Sequence, residues 1–259
     1  AVSGVQAKDQ DRVETVTYRK DAQKAVIRYV STNGDRVLTT DEVTGKSGEA
    51  IAYSTTSQIT EFKKQGYNLV SDEFTAGGAK VYDYDTARDQ VYTVTLSERV
   101  EPVNPDNPTP QPNTPVNPGQ PDSPRWPGTV ENLDNKESVS RTIHYVYEDG
   151  SKAKDDVVET LNFKRWSNVN LVTGHIDFQD WTTNDDTFDK VVSPTIAGYT
   201  ADKSEIPAVS GVQAKDQDRV ETVTYRKDAQ KAVIRYVSTN GNRVLTTDEV
   251  TGKSGEAIA

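Results

Sequence analysis

Few residues in this chain have types and spacings that could do chemistry, and the best of them are aromatic. Tyr82 and Tyr84 alternate with Asp83 and Asp85 just after the Gly77-Gly78 turn signal. Trp166 and Trp181 bracket a stretch centred on Ile176 and Phe178, and Trp126 sits among prolines. Flat rings of this kind stack on the C–H faces of sugars, so Trp166, Trp181, Tyr82 and Tyr84 are the candidate ligand-binding residues. The competing reading is that they complete the cores of their own modules, where large aromatic side chains usually go.

Other chemistry is poorly provided for. There are two histidines, and His144 alternates with Ile143 and Tyr145 in a strand-like run, which turns it to the opposite face. Without cysteine there is no thiol nucleophile and no thiolate zinc cluster. No glycine-rich phosphate loop occurs. With 40 acidic residues, a pair of carboxylates does not specify a glycosidase. The expectation is a binding protein and not an enzyme, with no cofactor. Two clusters offer oxygen ligands to Ca²⁺: Asp83, Asp85 and Asp89, and Asp180, Asp185, Asp186 and Asp189. Neither has EF-hand spacing, so they read as solvated loops and no metal site is expected. A net charge of −10 argues against nucleic acid as a partner. No stretch approaches the roughly 18–20 apolar residues that span a bilayer, so no membrane insertion is expected within this sequence. The absence of cysteine and methionine fits a bacterial surface protein stabilised by sheet packing, and equally a cytosolic one.

The elements that must position these residues come in a repeat. Residues 1–52 return at 208–259 with one change, Asp35 against Asn242, so 51 of 52 positions match. A unit this long reads as a chain of separate modules, each with its own core. Residues 1–22 carry one strand pattern at 13–18 and read as the C-terminal end of a truncated long module. The first complete module spans 24–99. It has a strand at 25–30, an Asn33-Gly34 hairpin signal and a returning strand. A helix follows, with Thr55 and Gln58 as a capping box, Ile59 and Phe62 inward and Gly66 at its stop. Two further strands close the module, in the element order of a β-grasp. Residues 100–137 read as a linker: ten of the twelve prolines lie at 102–127, and such a segment favours an extended polyproline spacer.

A longer β-grasp-like module spans 138–226. Asp149-Gly150 is its hairpin signal, and Gly198-Tyr199 answers Gly66-Tyr67. The extra length holds Ile176 and Phe178 as an added strand, with a polar loop in place of the helix. Residues 231–259 begin the first module again. The two end pieces, coming from different module types, are not expected to complete each other; each is expected to be disordered or paired with another molecule. The fold class is therefore α+β, mostly β, with tandem β-grasp (ubiquitin-like) modules in an elongated array.

In its hairpin strands, the helix TTSQITEFKKQGY and the closing VYTVTL, the chain resembles the mucus-binding repeats of lactobacillal surface adhesins. In those repeats a MucBP-type module follows a longer relative. Residues 24–99 resemble the MucBP-type module and 138–226 its longer partner. The resemblance implies β-grasp modules and an extracellular protein anchored to the bacterial cell wall. It also implies binding to mucin glycoproteins; the expectation set beside it is that the modules bind mucin or its glycans weakly and gain strength by repetition. Immunoglobulin binding is associated with the family too, and a non-binding stalk is the third alternative. The matching pattern is scaffold, so no binding residue is carried over.

Overall fold

A computed structural model of the chain describes residues 13–258, and the remainder of the 1–22 segment lies outside the described residues. The protein is mostly β, with one short α-helix among the described residues. In chain order the elements begin with β1 (Ala22–Ser31), β2 (Arg36–Lys46), α1 (Thr56–Lys64), β3 (Tyr67–Asp72), β4 (Gln90–Glu98) and β5 (Val100–Val103). Next come β6 (Lys136–Tyr147), β7 (Lys152–Lys164), β8 (Ser167–Asn170), β9 (Ile176–Phe178), β10 (Val191–Val192) and β11 (Tyr199–Ala201). The chain continues with β12 (Glu205–Ile206), β13 (Arg219–Lys227), β14 (Ala229–Val237) and β15 (Val244–Lys253). The chain divides into two compact units. The first takes the described residues up to Pro102 with Pro110–Asn132 and Asn168–Ile176, and the second takes the rest.

The first unit is built on a sheet of order β2-β1-β4-β3. The central pair is parallel, with Ile27 opposite Tyr92 and Tyr29 opposite Val94; both outer pairs are antiparallel. Alternation along β1 sends Ala25, Ile27 and Tyr29 to one face, where each is wholly buried. That face takes α1, whose Ile59 and Phe62 turn inward as their spacing requires, and Phe62 packs edge-on against Tyr67. The capping box does not form. Thr55 takes a helical backbone (φ −75°, ψ −13°) with no side-chain cap, and its buried hydroxyl donates to Asp72 Oδ2 at 2.6 Å. Tertiary burial captures the side chain that local pattern assigns to the cap. Gly66 does stop the helix, at φ +94°.

The turns differ in detail from the two-residue hairpins expected. At the first, positive φ falls on Gly34 and Asp35, one residue later than a type I′ turn at Asn33-Gly34 would place it. At the second only Gly150 is positive, while the Asp149 carboxylate accepts from the Ser151 amide at 2.9 Å. The proline-rich segment is likewise not one extended rod. The Asn113 amide donates to the Trp126 carbonyl and the Trp126 amide to the Thr114 carbonyl, Pro115 bridges Arg125, Lys64 pairs with Asp122 at 3.6 Å, and Gly128–Asn132 is a 3₁₀ turn. Polar side chains and backbone carbonyls between the prolines accept and donate the bonds that turn the chain back, and 110–132 belongs to the first unit. Residues 100–102, 168–170 and 176 of this unit lie in a small sheet of order β5-β8-β9, so the added strand at Ile176–Phe178 forms.

The second unit repeats the same sheet: β11-β13-β6-β7, with a parallel central pair β13-β6. One core gathers Ile143, Tyr145, Ile206, Val223 and Tyr225; another gathers Val139, Leu161, Phe163, Phe188 and Val212. Arg141 is buried among them. Its guanidinium holds Glu159 Oε2 and the carbonyls of Pro207 and Asp189, and lies 5.1 Å from the Phe188 ring centre. Every side of this buried cation is thereby met by an acceptor or a ring.

The duplicated sequences fold differently in their two settings. Val16 and Tyr18 lie outside any strand, 73% and 91% exposed, whereas their duplicates Val223 and Tyr225 are 0% and 1% exposed in β13. The strand expected at 13–18 is therefore absent: its potential is realised at 219–227, where β6 and β11 supply partners. Residues 229–253 form an antiparallel hairpin with the register of β1-β2. Yet Ile234 and Tyr236 are 41% and 47% exposed where Ile27 and Tyr29 are at 0%. The hairpin is tied to its own unit through Asp228, whose amide donates to Gly198 and whose carbonyl accepts from Ser254, both at 2.9 Å.

Candidate functional site

The four aromatic candidates separate into buried and accessible pairs. In the first unit Tyr82 is core, at 3% exposure, its ring lying over Gly45 of β2. The expectation that Tyr82 presents a binding face is corrected by its own packing. Tyr84 is the accessible one at 79%, with its hydroxyl close to Gly48. Asp85, next in sequence, lines a groove of about 500 Å³ between the start of β1, the end of β2 and the loop 85–89. Lys24 there pairs with Asp89 at 3.0 Å and Glu42 at 3.2 Å, and these carboxylates, Asp89 first, hold its ammonium above the usual lysine range. With Lys46, Arg88 and Glu49 also on the wall, the groove offers donors and acceptors of both signs.

In the second unit Trp181 is half-buried, and its ring is already engaged. The Arg165 guanidinium lies 4.2 Å from it and 4.0 Å from Phe178, a stacked cation fixed by the backbone and carboxylate of Asp134. Lys215 also approaches Trp181, at 5.5 Å; Glu137 and then Asp134 raise its pKa. Trp181 also packs against the core that holds Leu161 and Phe188. Trp166, at 42% exposure, keeps accessible ring surface, held by its carbonyl accepting from the Gln179 amide at 3.0 Å. Close in sequence, a cleft of about 300 Å³ opens over Phe163, walled by Asn162, Lys164, Thr182, Thr183 and Lys136. Sequence reasoning missed this cleft, because its walls come from three separated strands and loops of ordinary polar residues. The bridge between Lys164 and Thr182 that forms it has no local signature.

The acidic clusters are spent on local structure. Asp83 Oδ1 accepts from the Asp85 amide, Asp85 Oδ1 from Ala87, Asp185 Oδ1 from Thr187, and Asp89 pairs with Lys24. Among the described residues no group of three or more histidine and acidic side chains is arranged to hold a metal ion. No helix among them is long and apolar enough to cross a membrane.

Two family models match the chain: a mucin binding domain over residues 23–98 and a Muc B2-like domain over residues 130–229. No curated protein matches. Among solved structures, Mub-RV is similar over 80% of this chain and 99% of its own, at 26% identity and a TM-score of 0.63. The type 2 repeat of the mucus binding protein MUB from Lactobacillus reuteri is similar over 80% of this chain and 100% of its own, at 28% identity and a TM-score of 0.52. The MucBP domain of the adhesion protein from Pediococcus pentosaceus shares 36% identity over 35% of this chain and 98% of its own, with a TM-score of 0.32. The chain belongs to the mucus-binding repeat family, and carries one mucin binding domain and one Muc B2-like domain.

Proposed function

We propose that this chain is a repeat of an extracellular bacterial adhesin, anchored to the cell wall, that holds mucin glycoproteins by weak contacts multiplied along tandem modules. The observation that carries the reading is the pairing of a mucin binding domain with a sequence period of 207 residues, since the same module starts again at 229. Repetition is what weak sites need: tandem linkage raises avidity by roughly 10²–10⁴ without any new contact. The sheet order β2-β1-β4-β3, with its parallel centre under one helix, supports a β-grasp for the first module. The same order without the helix supports a β-grasp variant for the second. We read the chain as binding and not catalytic. The contacts fall to accessible rings beside polar walls, Tyr84 in the first unit and Trp166 in the second, stacking on sugar faces.

The test is binding to immobilised native mucin and to mucin stripped of its glycans. Glycan removal is expected to abolish binding; undiminished binding would replace glycan recognition by recognition of the protein backbone. Tyr84→Ala and Trp166→Ala are each expected to weaken binding by about 1 kcal/mol, near fivefold, with unchanged thermal unfolding. If neither substitution alters mucin binding, these rings are not the contacts.

A further inference from the structure

We infer that the second unit holds a site for a neutral N-acetylated sugar, formed by two depressions that share Lys136, with the acetamido group seated in the smaller one. This rests on the glycan reading above and gives it a further location and a chemical class. The smaller depression is a cavity of about 140 Å³ lined by Val103, Pro105, Leu133, Asn135 and Lys136, with Asn107 among its polar walls. All of these residues belong to the second unit. The opening stretch of the proline-rich segment thus supplies one wall. Asp106 holds it there, accepting from the Lys164 ammonium at 2.9 and 3.0 Å.

Three features of the cavity match three parts of an acetamido group. Asn135 is 9% exposed, and its Nδ2 donates to Ser167 Oγ at 3.1 Å, but its Oδ1 is buried with no donor. A buried acceptor without a donor is costly, and each such group in a folded protein calls for an explanation. The acetamido N–H is a donor of the kind this oxygen lacks. The Lys136 ammonium, exposed and paired with no carboxylate among the described residues, can donate to the acetamido carbonyl. Val103, Pro105 and Leu133 offer apolar surface to the methyl. A plain hydroxyl would satisfy Asn135 but would set a polar group against that apolar wall, so the acetylated sugar is favoured over its parent hexose. The space also suits: the cavity has the volume of roughly four or five waters, and an acetamido group has four heavy atoms.

Lys136 also lines the larger cleft of about 300 Å³ over Phe163. Lys136 and Lys164 stand opposite one another across β6 and β7, which brings the two depressions to the same end of this strand pair. An apolar floor edged by Thr182, Thr183 and the exposed carboxamides of Asn162 and Asn184 is what a sugar ring and its hydroxyls need. Lys136 and Lys164 on the walls are balanced by Asp134 and Glu137, so the lining suits a neutral sugar and does not select an acidic one.

Titration of the full ¹⁵N-labelled chain with N-acetylgalactosamine, N-acetylglucosamine, galactose and glucose tests this. At least one acetylated sugar is expected to shift the amide resonances of Asn104, Asn107 and 133–137 saturably, with a dissociation constant on the order of millimolar. Galactose and glucose are expected to bind about tenfold more weakly or less. Lys136→Met is expected to weaken the acetylated sugar about fivefold or more, and Lys136→Arg, which keeps a donor, to retain most of the affinity. Resonances unmoved by either acetylated sugar, an equal response to galactose, or unchanged affinity in Lys136→Met each overturn the proposal. The free-sugar readout stands apart from adhesion. A chain that adheres to native mucin with these resonances unmoved loses this site and keeps the reading above; one that takes the acetylated sugar here but ignores mucin keeps the site and loses that reading.

Discussion

Gly45 and Gly252 are the same residue in duplicated sequence, and the difference between them shows what a single position can hide. A Cβ on Gly45 would stand 2.1 Å from Cε2 of Tyr82, whose ring needs that space to be buried. A Cβ on Gly252 would meet nothing nearer than Glu256 Oε2 at 3.7 Å. Gly45→Ala is therefore expected to destabilise the first unit by about 1–3 kcal/mol, while Gly252→Ala stays within about 0.5 kcal/mol, as measured by urea unfolding. Equal losses would remove the account of Tyr82 as a side chain seated on glycine. Exposure of Tyr84 and burial of Tyr82 were not legible from their alternation with acidic residues, since alternation gives two faces but does not say which one is covered. Titration adds a second residue-scale outcome. The Asp218 carboxylate accepts from the Ser140 amide at 2.7 Å, which lowers its pKa below the ordinary 3.8 and ties the start of β13 to β6. A depressed folded-state pKa contributes stability that is fully present above 3.8 and lost as pH falls through the folded value. Asp218→Asn is expected to flatten that part of the acid limb of unfolding; an unchanged limb would deny the bond its role.

Strands and hairpins follow from the sequence because their information is local. Alternating Ala25, Ile27 and Tyr29 marked the inner face of β1, and the glycines at 34 and 150 marked the turns. Partnership is not local, and the duplicated segments isolate that fact. VETVTY is a central strand at 220–225, with Val223 and Tyr225 buried, and stands outside any strand at 13–18, with no change of residue. β-propensity describes fitness for a pleated, half-buried surface, and it needs the surface to be present. The same reasoning explains Thr55, where the capping pattern was legible but the competing acceptor Asp72, seventeen positions away, was not. It also explains the proline-rich segment, whose composition indicates an extended chain while Asn113, Trp126 and Asp122 supply the contacts that turn it back. A paired substitution measures the value of context directly. Ile27→Ala removes a wholly buried side chain and is expected to cost about 2–5 kcal/mol; Ile234→Ala, in identical sequence, is expected to cost well under about 1 kcal/mol. Thermal unfolding of the two variants side by side gives the comparison, and a large loss at Ile234 would mean that its face is covered in solution.

At the scale of the whole molecule, the repeat was legible before any element, because 51 matching positions leave no other reading. The kinship of the two complete modules was fainter in sequence and is plain in topology, with β11-β13-β6-β7 retracing β3-β4-β1-β2 and both central pairs parallel. Where they diverge, the sequence gap between turn glycine and Gly-Tyr becomes β8, β9 and the loops that carry Arg165 against Trp181. The binding surface was the least legible level. Pattern places a ring on a strand or loop, whereas accessibility depends on which distant residue, here Arg165 or Gly45, takes the ring first. The functional consequence of repetition is then quantitative. A polypeptide with several sites multiplies weak contacts only while its partner presents several epitopes within reach, so the gain belongs to the array and not to any residue. Proteins spanning one, two and three 207-residue periods are expected to bind native mucin with stepwise tighter apparent affinity, approaching about 10² per added site at best. Their affinity for a single soluble mucin glycan, which can engage one site at a time, is expected to stay constant per module. Surface binding assays on both ligands separate the cases: tightening on mucin alone is the avidity outcome. Tightening on the isolated glycan as well would mean that neighbouring modules build one shared site, and the reading of independent weak sites would fall.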